Sequence, residues 1–164
     1  MKGAYMLNIQ TEKEYNNIVE NYSDMIFRIA YQYLYNKYDA EDIVQEVFVK
    51  LLSKKTIFKD EEHVKSWLIR VTINQCLDYK KALAKRSTVP IENMEIPFTR
   101  KEEGILEELQ LLKEDERNIL YLYYYEGYKI KEIAKILKQK QNTINSKLTR
   151  ARKKLKEIME VNNE

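Results

Sequence analysis

Four short polar side chains near the end of the sequence, Asn142, Asn145, Ser146 and Thr149, are spaced so that a helix would line them up on one face. Amides and hydroxyls hydrogen-bond the edges of bases, and Arg150, Arg152 and Lys153 beside them carry the charge that phosphates attract. The chemistry they could do is recognition of duplex nucleic acid, with no bond made or broken. Nothing else in the chain offers an obvious reaction centre, because it has no Gly-rich phosphate loop and no Ser/His/Asp set. The single cysteine, Cys76, and single histidine, His63, leave no disulfide framework and argue against a Cys/His metal site. Cys76 reads as a small helix residue rather than a reactive thiol, and neither a metal nor a cofactor is expected.

The elements that would position these side chains follow from apolar spacing. Ile130, Ile133, Ala134 and Leu137 form one helical stripe, ending near Lys138, and Ile144, Leu148, Ala151 and Leu155 form another. The polar KQKQN between them is a turn, so the pattern is that of a helix-turn-helix with its second helix presenting Asn142, Asn145, Ser146 and Thr149. From Lys138 to Lys156 eight basic residues occur with no acidic one, while the formal net charge of the whole chain is only +3. A positive field concentrated on one helix is the footprint of nucleic-acid binding, and a solvated basic face with no ligand is the alternative.

Composition bounds the rest. In 164 residues, 44% hydrophobic and 34% charged with 3 Gly and 2 Pro, an all-α protein of one or two small helical domains is expected. No apolar run approaches the roughly 18 residues of a membrane span, and no secretory segment opens the chain, which points to the cytosol and against membrane insertion. Four helices are expected from Thr11 to Lys81: the first opened by Thr11 with Glu14, the second by Ser23, the third by Asp39, the fourth near Glu62 with Trp67, Leu68 and Val71 inward. The period then fails, and both prolines, Pro90 and Pro97, lie in a stretch that reads as a linker. A second block begins near Ile105, includes Leu106, Leu109 and Leu112, and runs to Gly127, a natural C′ residue. Tyr121, Tyr123, Tyr124, Tyr125 and Tyr128 could form a stacking platform, but helical phase spreads them over several faces and favours packing for most. On the third helix Ile43, Val47, Phe48, Leu51 and Leu52 make the apolar face, opposite Asp42, Gln45 and Glu46. That acidic side is either solvated surface or a docking surface.

DAEDIVQEVFVKLL (39–52), SWLIRVTINQCLDYKK (66–81) and the helix-turn-helix ending KLTRARKKLKE (147–157), in that order, closely resemble the extracytoplasmic-function group of bacterial sigma-70 factors. The resemblance implies a core-polymerase-binding and minus-10 domain at 11–82, a linker at 83–103 and a minus-35 domain at 104–160. It also implies that Asp42, Gln45 and Glu46 dock on core RNA polymerase. Ser53 to His63 and the SWL helix would hold the melted minus-10 strand, with Asn74 contacting it and Lys80 and Lys81 near its phosphates. Asn142, Asn145, Ser146 and Thr149 would face minus-35 bases in promoter DNA, with Arg150, Arg152 and Lys153 near phosphates. Such a protein is an accessory factor rather than an enzyme, and an anti-sigma factor is an implied partner.

The chain departs from the family pattern at Lys129 and Lys140, where capping residues are usual, at Lys138 and Gln139, where the turn often has Gly and an apolar residue, and at Ile69, where some relatives place an aromatic. The expected consequence is a less rigid helix-turn-helix, rescued in part if Asn142 caps its second helix. A dimeric operator-binding regulator and a sigma-like module that does not read DNA are the competing readings.

Overall fold

The computed structural model describes residues 9, 11–54, 57–86 and 108–162, and its regular elements are all helices. They fall in two compact units, within residues 1–94 and 95–164. The first unit contains α1 (Glu12–Leu34), α2 (Lys37–Ser53) and α3 (Glu61–Arg86). The second contains α4 (Glu114–Leu120), a π-helical turn (Tyr121–Tyr125), α5 (Ile130–Leu137) and α6 (Gln141–Asn162).

The first unit has three helices where four are expected, because α1 runs for 23 residues straight through Ser23. Tyr22, Met25, Ile26, Ile29 and Ala30 keep its buried period unbroken. Ser23 opens nothing, since its hydroxyl donates back to the Val19 carbonyl, the usual mid-helix habit of serine. Thr11 does open α1: its Oγ1 accepts from the Glu14 N–H at 3.2 Å, and Glu14 Oε2 accepts from the Thr11 N–H at 3.1 Å. Asp39 is displaced from its expected capping role by Asn36, whose Oδ1 accepts the Asp39 N–H at 3.1 Å. Asp39 instead lies in the first turn, where a carboxylate complements the helix dipole. Asp60 opens α3, accepting the His63 N–H at 2.7 Å.

The core of this unit lies where Ile26 and Ile29 of α1 meet Ile43, Val47, Phe48 and Leu51 of α2 and Val64, Leu68, Ile69, Ile73 and Cys76 of α3. Burying each large aliphatic side chain stabilises by about 1.5–3 kcal/mol relative to exposure. Two details depart from the apolar pattern. Leu52 is 62% exposed, and α3 is rotated so that Trp67 and Val71 are only half-buried. The buried i, i+4 series on α3 is Val64, Leu68, Thr72 and Cys76, with the Thr72 hydroxyl satisfied by the Leu68 carbonyl at 2.7 Å. Burial pushes the Cys76 thiol up to about 12, as befits a packing residue. The helix continues past Lys81 to Arg86 because Ala82, Leu83, Ala84 and Lys85 are strong helix formers. Of the expected linker, 83–86 is therefore helical and the remainder lies outside the described residues, as do Ile105 and Leu106.

In the second unit the expected helix up to Gly127 is broken. Residues 108–110 form a short helical piece, the chain turns at Leu111 and Leu112, and α4 starts afresh at Glu114. Arg117, 5% exposed, closes the break by donating from Nη1 to the carbonyls of Leu112, Leu109 and Gln110. The π turn stops at Gly127, whose φ of +74° is the left-handed conformation expected of a C′ glycine, and the Tyr128 N–H returns to the Leu122 carbonyl at 2.9 Å.

Candidate nucleic-acid interface

α5 and α6 pack through Ile133, Ala134 and Ile136 on one side and Ile144, Leu148 and Ala151 on the other, all buried. Ile130 and Leu137 are only half-buried, so the α5 stripe is rotated slightly from its expected phase, while Leu155 lies at the half-buried end of the α6 stripe. Between the helices, Lys138 adopts left-handed φ +53°, and the Gln139 N–H bonds the Ala134 carbonyl at 2.9 Å. This is a Schellman-type stop built on a residue with a Cβ. Lys140 caps α6 by position: its carbonyl accepts the first helical bond, from Ile144, at 3.1 Å, but its side chain can accept nothing. Asn142 stands inside the first turn of α6 and is not the cap, so the rescue expected of it does not occur.

Asn142, Asn145, Ser146 and Thr149 are all exposed and share the face of α6 away from α5, with Lys153 among them. Arg150 and Arg152 stand on opposite flanks, each about 80° round the helix from Asn142. Two lysines that sequence counts with them leave this field. Lys147 Nζ donates to Asp115 Oδ2 at 2.6 Å, and Lys154 lies 3.7 Å from Glu116, which is 4% exposed at its side chain. They fasten α6 to the first turn of α4. Burial pushes the Asp115 carboxyl up, but the hydrogen bond and charge of Lys147 outweigh it and leave the group below its ordinary value. Lys131 and Lys135 of α5, not singled out by sequence, join Lys138 and Lys140 around a shallow groove at the turn. Their signal was i, i+4 spacing on the polar side of α5.

The tyrosines are less buried than helical phase implies. Tyr128 is 6% exposed and Tyr121 and Tyr123 half-buried, but Tyr124 and Tyr125 are each 62% exposed. The π turn changes the phase: Tyr121 and Tyr125 stack at 5.1 Å, and the Tyr121 hydroxyl donates to Glu126 at 2.7 Å.

On α3, Asn74 and Lys81 share one exposed face, seven residues apart, with Trp67 and Arg70 at its half-buried margin. Lys80 is not brought there, because it lies about 120° round from Asn74 and half-buried, on the side of Cys76. Ile69 is fully buried, so this position is core rather than a strand contact. Ahead of α3, Phe58 packs edge-on against Trp67 at 5.7 Å and His63 at 5.4 Å, and Lys54 Nζ lies 4.3 Å from the Trp67 ring centroid. Burial first, and the Arg70 charge second, lower the Lys54 pKa.

Asp42, Gln45 and Glu46 are exposed together on α2 and line a shallow groove with Val49, Lys50 and Gln75. Gln75 reaches across from α3: its Nε2 donates to Glu46 at 2.6 Å and its Oε1 accepts from Lys50 at 2.5 Å. Nothing in the sequence marks Gln75, since the bond depends on how α2 and α3 pack. Among the described residues no group of three or more His, Cys, Asp or Glu side chains could hold a metal ion, and no helix is long and apolar enough to cross a membrane.

Residues 18–86 match the family model for Sigma-70 region 2, and residues 102–155 match that for Sigma-70, region 4. RNA polymerase sigma factor SigV of Bacillus subtilis is 29% identical over 140 residues, which cover 82% of this chain and 84% of that protein. The ECF RNA polymerase sigma-E factor of Escherichia coli is 27% identical over 161 residues, covering 86% and 84%. The fold is shared with the sigma factor RpoE of Bartonella quintana, solved in complex with the anti-sigma factor NepR, at a TM-score of 0.79 and 22% identity over 91% of this chain and 98% of that one. The chain belongs to the sigma-70 family of bacterial RNA polymerase sigma factors. Within that family it is a member of the extracytoplasmic-function group. Its activity is accordingly to direct RNA polymerase to promoters, not to catalyse a reaction itself. Matches in both halves set aside the reading as a lone helix-turn-helix regulator.

Proposed function

We propose that the two units divide promoter recognition between them, residues 11–82 serving core polymerase and the melted minus-10 strand and residues 104–160 the minus-35 duplex. The observation that carries this reading is the exposed face of α6, where Asn142, Asn145, Ser146 and Thr149 stand together with Lys153 and with arginines on both flanks. Such a face combines base-edge hydrogen bonding with phosphate contacts. On α2, Asp42, Gln45 and Glu46 form the polymerase-docking face, supported by their common exposure and by the bonds that tie Glu46 to Gln75. On α3, Asn74 and Lys81 meet the single strand, while Lys80 contributes less because it is turned aside. An extruded base costs a few kcal/mol in lost stacking, which the half-buried Trp67 ring, braced edge-on by the buried Phe58, is suited to offset in part.

The protein works in the cytoplasm, where its polymerase is. An anti-sigma factor is a fitting partner, because the acidic face of α2 and the basic face of α6 are both open to occlusion, and RpoE was solved bound to one. Transcription in vitro with purified core polymerase on a fragmented genomic library tests the reading. Starts preceded by shared elements at fixed spacing are expected. Starts indistinguishable from those of core alone would refute it in favour of a sigma-like module that does not read DNA.

A further inference from the structure

The π turn and the reading helix meet at one side chain. Arg152 donates from Nε to the Tyr124 hydroxyl at 2.6 Å, and its guanidinium carbon lies 5.1 Å from the Tyr123 ring centroid and 5.3 Å from that of Tyr124. Neighbours on an α-helix diverge by about 100° and do not normally serve one partner. Here the widened turn lets both rings flank the same cation, and the rings themselves meet edge-on at 5.0 Å. The arrangement holds the long side chain by one hydrogen bond and two cation–π contacts. Nε is committed to tyrosine and Arg152 is exposed, so the Nη edge of the planar fork remains available to a ligand. No carboxylate among the described residues is paired with it in a salt bridge.

We propose that Tyr124, with Tyr123, is a positioning residue that fixes Arg152 as a pre-ordered clamp for a DNA backbone phosphate beside the reading face of α6. The proposal rests on the reading of α6 as the duplex-contacting helix. It gives the exposed Tyr124 and the half-buried Tyr123 a role distinct from a stacking platform: they order an arginine whose freedom would otherwise be lost on binding. Ordering a long side chain costs about 0.5–1.5 kcal/mol, so loss of the pre-ordering should weaken binding about two- to tenfold. Lysine cannot replace Arg152, having neither the Nε donor nor the fork.

The test is fluorescence anisotropy of the full chain with a short random-sequence DNA duplex across a salt series, with Lys153→Ala as the control for α6 itself. Arg152→Ala should reduce the salt slope by about one unit, the loss of one phosphate contact. Tyr124→Phe keeps a ring and loses the hydroxyl, so it should weaken binding with the slope retained; Tyr124→Leu should approach Arg152→Ala, and Arg152→Lys should not restore wild-type affinity. If Arg152→Ala lowers the slope while both Tyr124 variants bind as wild type, the positioning role is refuted. If Arg152→Ala lowers the melting temperature and leaves the slope unchanged, the cluster holds the fold and the proposal fails. If Lys153→Ala also leaves the slope unchanged, it is the reading of α6 that has failed.

Discussion

The two units start their helices with different chemistry. In the first, Thr11, Asn36 and Asp60 each accept a backbone N–H at the helix mouth, at 3.2, 3.1 and 2.7 Å. In the second, the corresponding residues are Lys113, Lys129 and Lys140, whose ammonium groups accept nothing. Glu116 and Glu132 make half of a capping box by taking the N–H of Lys113 at 3.4 Å and of Lys129 at 2.7 Å, but α6 has Thr143 at the equivalent place. Lys138 adds a left-handed backbone that glycine would adopt without strain. The second unit thus keeps positive charge at the positions where local stability favours short acceptors. It regains stability through side-chain ties outside the caps: Arg117 to three carbonyls of the preceding break, Lys147 to Asp115 and Lys154 to Glu116.

Arg117→Ala should therefore have the largest effect. A hydrogen bond to a charged group contributes about 1.5–3 kcal/mol, and three carbonyls share this guanidinium, so a loss of about 3 kcal/mol is expected. Hydrogen exchange should show faster exchange throughout α4 and α6 with α1–α3 unchanged. Loss of protection in α1–α3 as well would break the comparison, because the units would then draw on the same interactions.

What could be read in the sequence followed the same division. Capping and apolar period are local, so Thr11 with Glu14, the inward Ile43, Val47, Phe48 and Leu51, the helix-turn-helix and the C′ role of Gly127 are all legible. The polar set Asn142, Asn145, Ser146 and Thr149 is legible as one face of α6 for the same reason. Ser23 misleads because the residue type favours caps, whereas tertiary burial around Tyr22 and Ile26 carries α1 through it. Lys147, Lys154 and Gln75 act through partners 25 to 38 residues away, and their roles cannot be separated from those of Lys153 or Gln45 by composition. The π turn has no periodic signature in YLYYY, which is why the exposure of Tyr124 and its bond to Arg152 emerge only in the folded structure.

The lysine positions of the turn give effects of intermediate size. Lys138→Gly should relieve a left-handed residue and raise stability by about 1 kcal/mol. Lys140→Ser supplies a capping acceptor, also about 1 kcal/mol, and removes a charge that opposes the dipole of α6. Its melting temperature should rise while its DNA affinity falls and the salt slope shrinks. A Lys140→Ser protein that melts lower and binds DNA unchanged would show that serine gains no cap over lysine at this position and that the lysine contributes no phosphate contact. The mirror substitution in the first unit, Asn36→Lys, should cost about 1 kcal/mol with no effect on duplex binding.

The smallest effects separate two lysines on the same helix. Lys147, 19% exposed at its side chain and bonded to Asp115, should behave as a structural residue; Lys153, 79% exposed and 4.0 Å from Glu157, should behave as a ligand contact. Lys147→Met should lower stability by less than about 1 kcal/mol and leave the salt slope alone. Lys153→Met should leave the stability within about 0.5 kcal/mol of wild type and reduce the slope by about one. Acid titration sharpens the distinction. Because the folded carboxyl of Asp115 lies below its ordinary 3.8, its contribution is complete above that value and is lost as the pH falls through the lowered one. Removing Lys147 takes away the cause, so the stability of Lys147→Met should fall less steeply below pH 4 than that of wild type or Lys153→Met. Equal salt slopes for the two variants, with equal acid profiles, would mean that charge on α6 acts collectively and that the tether to α4 does not assign its lysines to separate tasks.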